Sequence, residues 1–398
     1  MRIYMDNAAT SFPKPAEVLA AMNDYATNLG ASAGRGGYAQ VREVGRRMNE
    51  CRQLINRLIG GEDPSHVIFT LNTTDALNLA IRGVVHPGSR RNHVITTRLD
   101  HNSILRPFNM MAAHDGIEQT RVECDPATGV VDPEDIRKAI RPGTALIAVL
   151  HGSNVTGTLQ PIRQIGRIAR EHEMPFLVDA AQTLGHMPVD VQNDNIDLLA
   201  APGHKGLLGP LGTGILYIRP GIEKRMRTVR EGGTGSVSEH DTQPDFMPDR
   251  FEAGSHNAIG ILGLAAGVKW ILERGVENLH RQEQQLAGQF LEQTRDMEGL
   301  TIFGPQTLED RCGVFSVRLQ GYEQPAALSD ALENEFGILT RSGIHCAPLA
   351  HQTFATYDGG GTTRFSLGPY NTPEHIQSAT DALGRLARRA LERQAVAD

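Results

Sequence analysis

Lys205 stands alone in its stretch of chain. Between Asp197 and Arg219 no other residue carries charge except a possible one on His204. Ala201-Pro202-Gly203-His204-Lys205-Gly206 follows an apolar run and precedes Gly209-Pro210-Leu211-Gly212-Thr213-Gly214. An amine in such surroundings is poorly solvated, which lowers its pKa and favours a nucleophile or a Schiff-base lysine. A lysine at a mobile surface turn is the plainer alternative. Phe176-Leu177-Val178-Asp179 ends another apolar run in a carboxylate, 26 residues before Lys205. The carboxyl end of a parallel strand is where α/β proteins bind ligands, so this carboxylate could hold a cationic ring nitrogen. An ordinary strand-end Asp capping the next segment would look the same. Thr70-Leu71-Asn72-Thr73-Thr74-Asp75 joins a strand pattern to a helix pattern. Hydroxyls and free N–H groups at a helix start make an anion site, although Thr73 could be a simple N-cap. Taken together and in order, an anion cup, a strand-end carboxylate and an isolated lysine suit pyridoxal 5′-phosphate. The first would hold its phosphate, the second would protonate its ring nitrogen, and the third would bind its aldehyde.

Positioning these groups requires strands that end at one edge. Apolar runs at 67–70, 93–97, 145–150, 176–179, 198–201 and 214–218 read as strands. Helical patterns at 74–84, 100–111 and 162–171 separate several of them. Continuously apolar strands alternating with helices indicate an α/β fold with a mainly parallel sheet buried on both faces. From about Ala258 one long amphipathic helix is expected through Trp270, Leu279 and Leu286 towards Met297. Further strand and helix patterns follow at 313–319, 325–336, 363–367 and 374–391. A boundary near 254–260 therefore divides a large first domain, 1–257, from a smaller α/β domain, 258–398.

Composition narrows the function classes. The chain has 398 residues, 40% of them hydrophobic, which is ample for a two-unit core and excludes disorder as the main state. Net charge is −7, against the basic face a nucleic-acid binder needs. No apolar run reaches the length of a membrane span, and the N-terminus lacks a signal-peptide pattern, so a cytoplasmic location is expected. Four scattered cysteines (Cys51, Cys124, Cys312 and Cys346) form no CxxC pair, which fits a reducing compartment. No metal site is expected, although His345, Cys346 and His351 stand close in sequence. Gly232-Gly233-Thr234-Gly235 lacks the strand–loop–helix setting of a dinucleotide site and reads as a flexible segment near the active site.

Short motifs along nearly the whole chain carry a resemblance. They are Tyr4-Met5-Asp6-Asn7-Ala8-Ala9-Thr10, Asn72-Thr73-Thr74, Asp100-His101-Asn102-Ser103 and His151-Gly152-Ser153-Asn154. The series continues with Val178-Asp179-Ala180-Ala181-Gln182, Gly203-His204-Lys205, Arg250-Phe251-Glu252-Ala253-Gly254-Ser255, Arg341-Ser342-Gly343-Ile344-His345-Cys346-Ala347 and Arg364-Phe365-Ser366-Leu367. In this order they resemble the cysteine desulfurases, class V pyridoxal-phosphate enzymes of fold-type I. The short 343–348 segment is similar to the compact-loop (SufS-like) branch.

The resemblance implies a seven-stranded, mostly parallel sheet in the large domain, with residues 1–13 packed on the small one. It implies a homodimer, L-cysteine as substrate and an acceptor protein for the sulfur. Lys205 would carry the cofactor and move protons. His101 would stack on its ring, Asp179 would pair with the ring nitrogen, and Gln182 with the phenolic oxygen. Thr73, Thr74 and His204 would cradle the phosphate, and Ser255 would reach it from the partner subunit. Asn154 would touch cofactor and substrate, with Arg364 and Arg341 binding the substrate. Cys346 would take the sulfur as a persulfide, its thiolate favoured by Arg341 and a cationic His345. Cys51, Cys124 and Cys312 match no motif and read as packing. Two positions depart from the family pattern: Pro202 replaces a serine that binds phosphate, and Asn72 replaces a glycine, tolerating left-handed backbone. Two other readings share these residues. One is a different class V chemistry (selenocysteine lyase, aminotransferase or C–S lyase), and the other is a non-catalytic sulfur-transfer scaffold.

Overall fold

The computed structural model describes every residue except Met1, Arg35, Arg90, Gly235, Ser238 and Asp398, with no side-chain account of 396–397. The last glycine of the 232–235 segment thus lies outside the described residues. After the short β1 (Ile3–Tyr4), the chain lays down β2 (Val67–Thr70), β3 (His93–Thr97), β4 (Glu118–Val122), β5 (Thr144–Leu150), β6 (Phe176–Asp179), β7 (Leu198–Pro202) and β8 (Gly214–Ile218). The last seven form one sheet in the order β2-β8-β7-β6-β5-β3-β4. Only β8 runs against its neighbours, so the sheet is mostly parallel, as expected.

The reason is visible in β5, whose seven residues Thr-Ala-Leu-Ile-Ala-Val-Leu are all buried. Side chains alternate across a strand, so Ile147 and Val149 enter one apolar cluster while Leu146 and Ala148 enter another. Helices cover both faces: α1 (Ala16–Asp24), α2 (Ala39–Leu58), α3 (Thr73–Val84), α4 (Asn102–His114), α5 (Pro133–Ala139), α6 (Ile162–Glu171) and α7 (Ala258–Arg274). In α6 the buried Ile162, Ile165, Ile168 and Ala169 repeat at helical spacing, which gives it one core-facing stripe.

The remaining chain forms α8 (Val276–Thr294), β9 (Leu300–Phe303), β10 (Val314–Leu319), α9 (Pro325–Phe336), β11 (Ile338–Leu339), β12 (Arg341–Gly343), α10 (Pro348–Thr353), β13 (Thr362–Ser366) and α11 (Pro373–Ala397). An antiparallel sheet, β12-β13-β10-β9, packs through Phe315 and Phe365 on Phe290 of α8. β1 pairs with β11, and Asp6 bridges to Ser366, so the first residues do lie against this second sheet.

Three expectations need correction. The long helix after Ala258 is two helices, because Gly275 at φ 80° takes a backbone conformation that side chains resist. α7 joins the core of the central sheet and α8 joins that of the second sheet, so the packing changes at Gly275 rather than near 254–260. The pattern at 100–111 becomes a helix only from Asn102, with His101 as its cap.

A buried ion pair ties α2 and β2 to the segment that carries Ser255. Arg52 meets Glu252 through two contacts of 2.6 and 2.8 Å, and the Phe69 N–H donates to the same carboxylate at 2.6 Å. Truncating one partner of such a pair strands the other charge out of water. Glu252→Ala should lower unfolding free energy by about 3–5 kcal/mol, read as a reduced denaturant midpoint. A loss below about 1 kcal/mol would show that Arg52 is not held as described.

Candidate active site

The strands deliver the chemistry at the carboxyl edge of the central sheet. β6 ends in Asp179, β7 leads through Pro202 into the Lys205 turn, β2 leads through Asn72 into α3, and β3 leads through Asp100 and His101 into α4. A cavity opens there, lined by Thr73, Thr74, His101, Asn154, Asp179, Gln182, His204 and Lys205 among others. Those eight predicted residues are brought together. The Lys205 turn needs a close approach, since a Cβ on Gly203 would lie 2.0 Å from Thr213 Oγ1.

Asp179 is buried and Lys205 half-buried, and desolvation moves the two groups towards each other. It pushes the carboxyl up to about 6 and the amine down to about 8. Arg364 is the next largest influence on Lys205 and lowers it further, while Asp179 opposes. One Asp179 oxygen accepts the Ala181 N–H at 3.0 Å, and the other has no partner among the described residues. His101 is neutral, held down to about 3 by burial and then by Lys205. Its Nδ1 accepts the Ser103 N–H at 3.1 Å, which puts the ring proton on Nε2. His204 is also neutral, pushed to about 4 by burial, and its Nδ1 is buried without a partner.

The anion cup is built differently from the sequence reading. Asn72, not Thr73, caps α3: its Oδ1 accepts the Asp75 N–H at 2.9 Å. Asn72 has φ −175°, so the left-handed backbone allowed for it above is not used. Capping by Asn72 leaves the Thr73 and Thr74 hydroxyls free of that task. Thr74 Oγ1 lies 2.8 Å from Ser103 Oγ, which in turn lies 2.9 Å from His101 Nδ1. Ser103 lines the cavity and supplies a hydroxyl where Pro202 has none. Its place beside His101 in the sequence was the only signal for it.

The other four predicted residues, Arg364, Arg341, Cys346 and Ser255, are not among those lining the cavity. Arg364 is buried, donating to Asp6 Oδ1 at 2.6 Å and to the Asn154 carbonyl at 3.0 Å. Arg341 is its cross-strand neighbour. Asn154 also donates to the His345 carbonyl at 2.6 Å, and the Asn102 N–H donates to the Cys346 carbonyl at 2.9 Å. The cysteine turn is thereby fixed to the head of α4, with His345 and Cys346 at φ 50° and 59°. Cys346 is exposed, whereas Cys51, Cys124 and Cys312 are buried. Burial pushes the Cys124 and Cys312 thiols up to about 12, away from thiolate. His345 is buried and driven well below the ordinary histidine range, chiefly by desolvation, so it is neutral and not the cation expected beside Cys346. Ser255 is exposed and lines a separate hollow with Thr70, Leu71 and Arg230.

Sequence reasoning gave the N-terminal strap no contact with the Lys205 turn. Four groups donate to the His204 carbonyl: Ser11 N and Thr10 Oγ1 at 3.0 Å, Ser11 Oγ at 3.2 Å and Lys14 Nζ at 2.8 Å. Gln182 Nε2 donates to the Ala8 carbonyl at 3.2 Å. Beyond Ala8 the strap therefore packs against the Lys205 turn and not only on the second sheet.

A family model described as aminotransferase class V matches residues 3–378. A probable cysteine desulfurase of Methanothermobacter thermautotrophicus is 33% identical, over 97% of this chain and 94% of its own length. The chain belongs to the cysteine desulfurase family of class V aminotransferases. A cysteine desulfurase of Escherichia coli O157:H7 is 32% identical over 97% of this chain and 93% of that protein. The fold agrees: the apo structure of a cysteine desulfurase from Thermococcus onnurineus NA1 superposes with a TM-score of 0.89 at 32% identity, covering 97% of this chain and 95% of that one.

The family depends on pyridoxal 5′-phosphate, and the donor set fits that group. The open Asp179 oxygen suits a ring N–H, the orphaned His204 Nδ1 and the start of α3 suit a phosphate, and the Lys205 amine, its pKa lowered by desolvation, suits an aldehyde.

The Lys205 shift has a direct consequence for the cofactor-free protein. Unfolded, this amine titrates near 10.5; folded, near about 8. Between those values the unfolded chain binds more protons, so stability rises with pH. Lys205→Met should remove that part of the rise, leaving the equally shifted Lys14 in both proteins. Thermal melts of the two proteins across this interval measure it, and parallel curves would refute the burial of Lys205.

Proposed function

We propose that this chain converts L-cysteine to L-alanine and takes the sulfur onto Cys346 as a persulfide. The observation that carries this reading is one frame of contacts. Asn154 lines the cavity of Lys205 and Asp179, its carbonyl accepts from Arg364, and its amide fixes the turn of the exposed Cys346.

Bound pyridoxal 5′-phosphate supplies an electron sink that weakens the α C–H bond of an attached amino acid. Thr73, Thr74, His204 and Ser103 would hold its phosphate, Asp179 its ring N–H, and neutral His101 its face. Arg364 grips the substrate carboxylate, a task suited to a planar two-pronged donor, with Arg341 beside it. Lys205 Nζ takes the α-proton, a task helped by the desolvation that lowers its pKa from the ordinary lysine value. The Cys346 thiolate attacks the substrate sulfur. An S–S bond forms, the C–S bond breaks, and its electron pair stays with the β-carbon. That carbon is protonated and alanine leaves. Cysteine and thiol become alanine and persulfide, with no added oxidant. A reductant or an acceptor protein then removes the sulfur.

The same reading assigns a homodimer in which Ser255 reaches the partner's phosphate site. Its support is that Ser255 is exposed and turned to a separate hollow, close to the exposed apolar Leu71 at 57%.

Purified holoenzyme given L-cysteine and a reductant should yield equal alanine and sulfide. Pyruvate or a transferred amino group instead would select another class V chemistry. Cys346→Ser should keep the cofactor's visible band and lose about 10²-fold or more in alanine formation. Lys205→Ala should lose the band. A Cys346→Ser protein with full activity would overturn the persulfide step.

A further inference from the structure

The Arg364 guanidinium is already occupied. It is buried to 1% exposure and its Nη2 donates to Asp6 Oδ1 at 2.6 Å, while Nη1 donates to the Asn154 carbonyl. Its Nε is buried with no partner among the described residues. A guanidinium offers a carboxylate two paired edges, Nη1/Nη2 and Nη2/Nε, and both use Nη2. A substrate carboxylate gripped by two donors must therefore share Nη2 with Asp6 or take it over.

Asp6 is placed for such an exchange. Its backbone is pinned, bridging to Ser366 and accepting the Tyr4 hydroxyl at 3.1 Å. Its carboxylate has Arg364 as sole partner among the described residues, and its side chain is 20% exposed. Rotation about the side chain would return it to water without unfastening the strap.

We propose that Asp6 occupies the substrate-carboxylate seat on Arg364 in the resting protein and yields it to the entering amino acid, so that it sets substrate affinity. This rests on the reading of Arg364 as the carboxylate grip. The resting ion pair keeps a buried guanidinium from standing unpaired, and lets only a ligand with its own carboxylate replace it. Two carboxylates on one guanidinium repel, so Asp6 lowers affinity for the amino acid as it protects the empty site.

The test is a titration of holoenzyme with L-alanine, followed by the cofactor's visible absorbance, with ethylamine as the ligand that lacks a carboxylate. Asp6→Asn and Asp6→Ser, both checked for unchanged melting, should bind L-alanine about tenfold more tightly, the order of one charge–charge interaction at a partly buried site. Ethylamine binding should not change. Equal or weaker alanine binding in both variants would show that Asp6 only holds Arg364 in place, and would overturn the proposal. So would an equal gain for ethylamine. The titration needs no turnover, so tighter alanine binding in a protein that releases no alanine from L-cysteine would uphold the exchange and overturn the proposed reaction.

Discussion

Two ionisable groups, buried Asp179 and half-buried Lys205, are partly or wholly withdrawn from water at one edge of a mostly parallel sheet, and the surrounding structure serves that arrangement. Neither charge is stable in such a place unless the fold is stable enough to impose it. The sheet does so by burying β5, β6 and β7 on both faces, which leaves the strand ends as the only places for polar side chains to converge. Opposed shifts in the carboxyl and amine follow from desolvation, and they are the shifts that proton-transfer chemistry near neutral pH requires.

A second set of contacts joins this edge to the second sheet. The strap of residues 6–14 touches Arg364 and Ser366 on one side and Gln182 and His204 on the other. Asn154 does the same between the cavity, Arg364 and the cysteine turn. The groups that would bind the substrate carboxylate, move its proton and receive its sulfur therefore share a few rigid links. Precision at this level is what positional catalysis demands.

The electrostatic character of the site is dominated by desolvation, with charge pairing second. His101, His204 and His345 are all neutral for that reason. Arg341 and Arg364 stay cationic, since burial cannot discharge a guanidinium at ordinary pH. This division would leave the imidazoles as hydrogen-bonding and stacking groups and the substrate carboxylate to arginine.

By itself the sequence determined six of the seven strands of the central sheet (β4, the partly exposed edge strand, was missed), the isolation of Lys205, the strand-end position of Asp179 and the order of the motifs, because each is a local pattern of burial and charge. Eight of the predicted residues consequently meet in one cavity. Tertiary structure alone decided which distant groups pair. The Asp6–Arg364 contact spans 358 positions, and nothing near either residue announces it. The capping of α3 by Asn72 was decided by backbone geometry at φ −175°, which the residue type does not specify. Neutrality of His345 depends on what the second sheet buries, and the break at Gly275 on which core each helix joins. Local propensity and spacing are written along the chain; desolvation and long-range pairing exist only once the chain has folded.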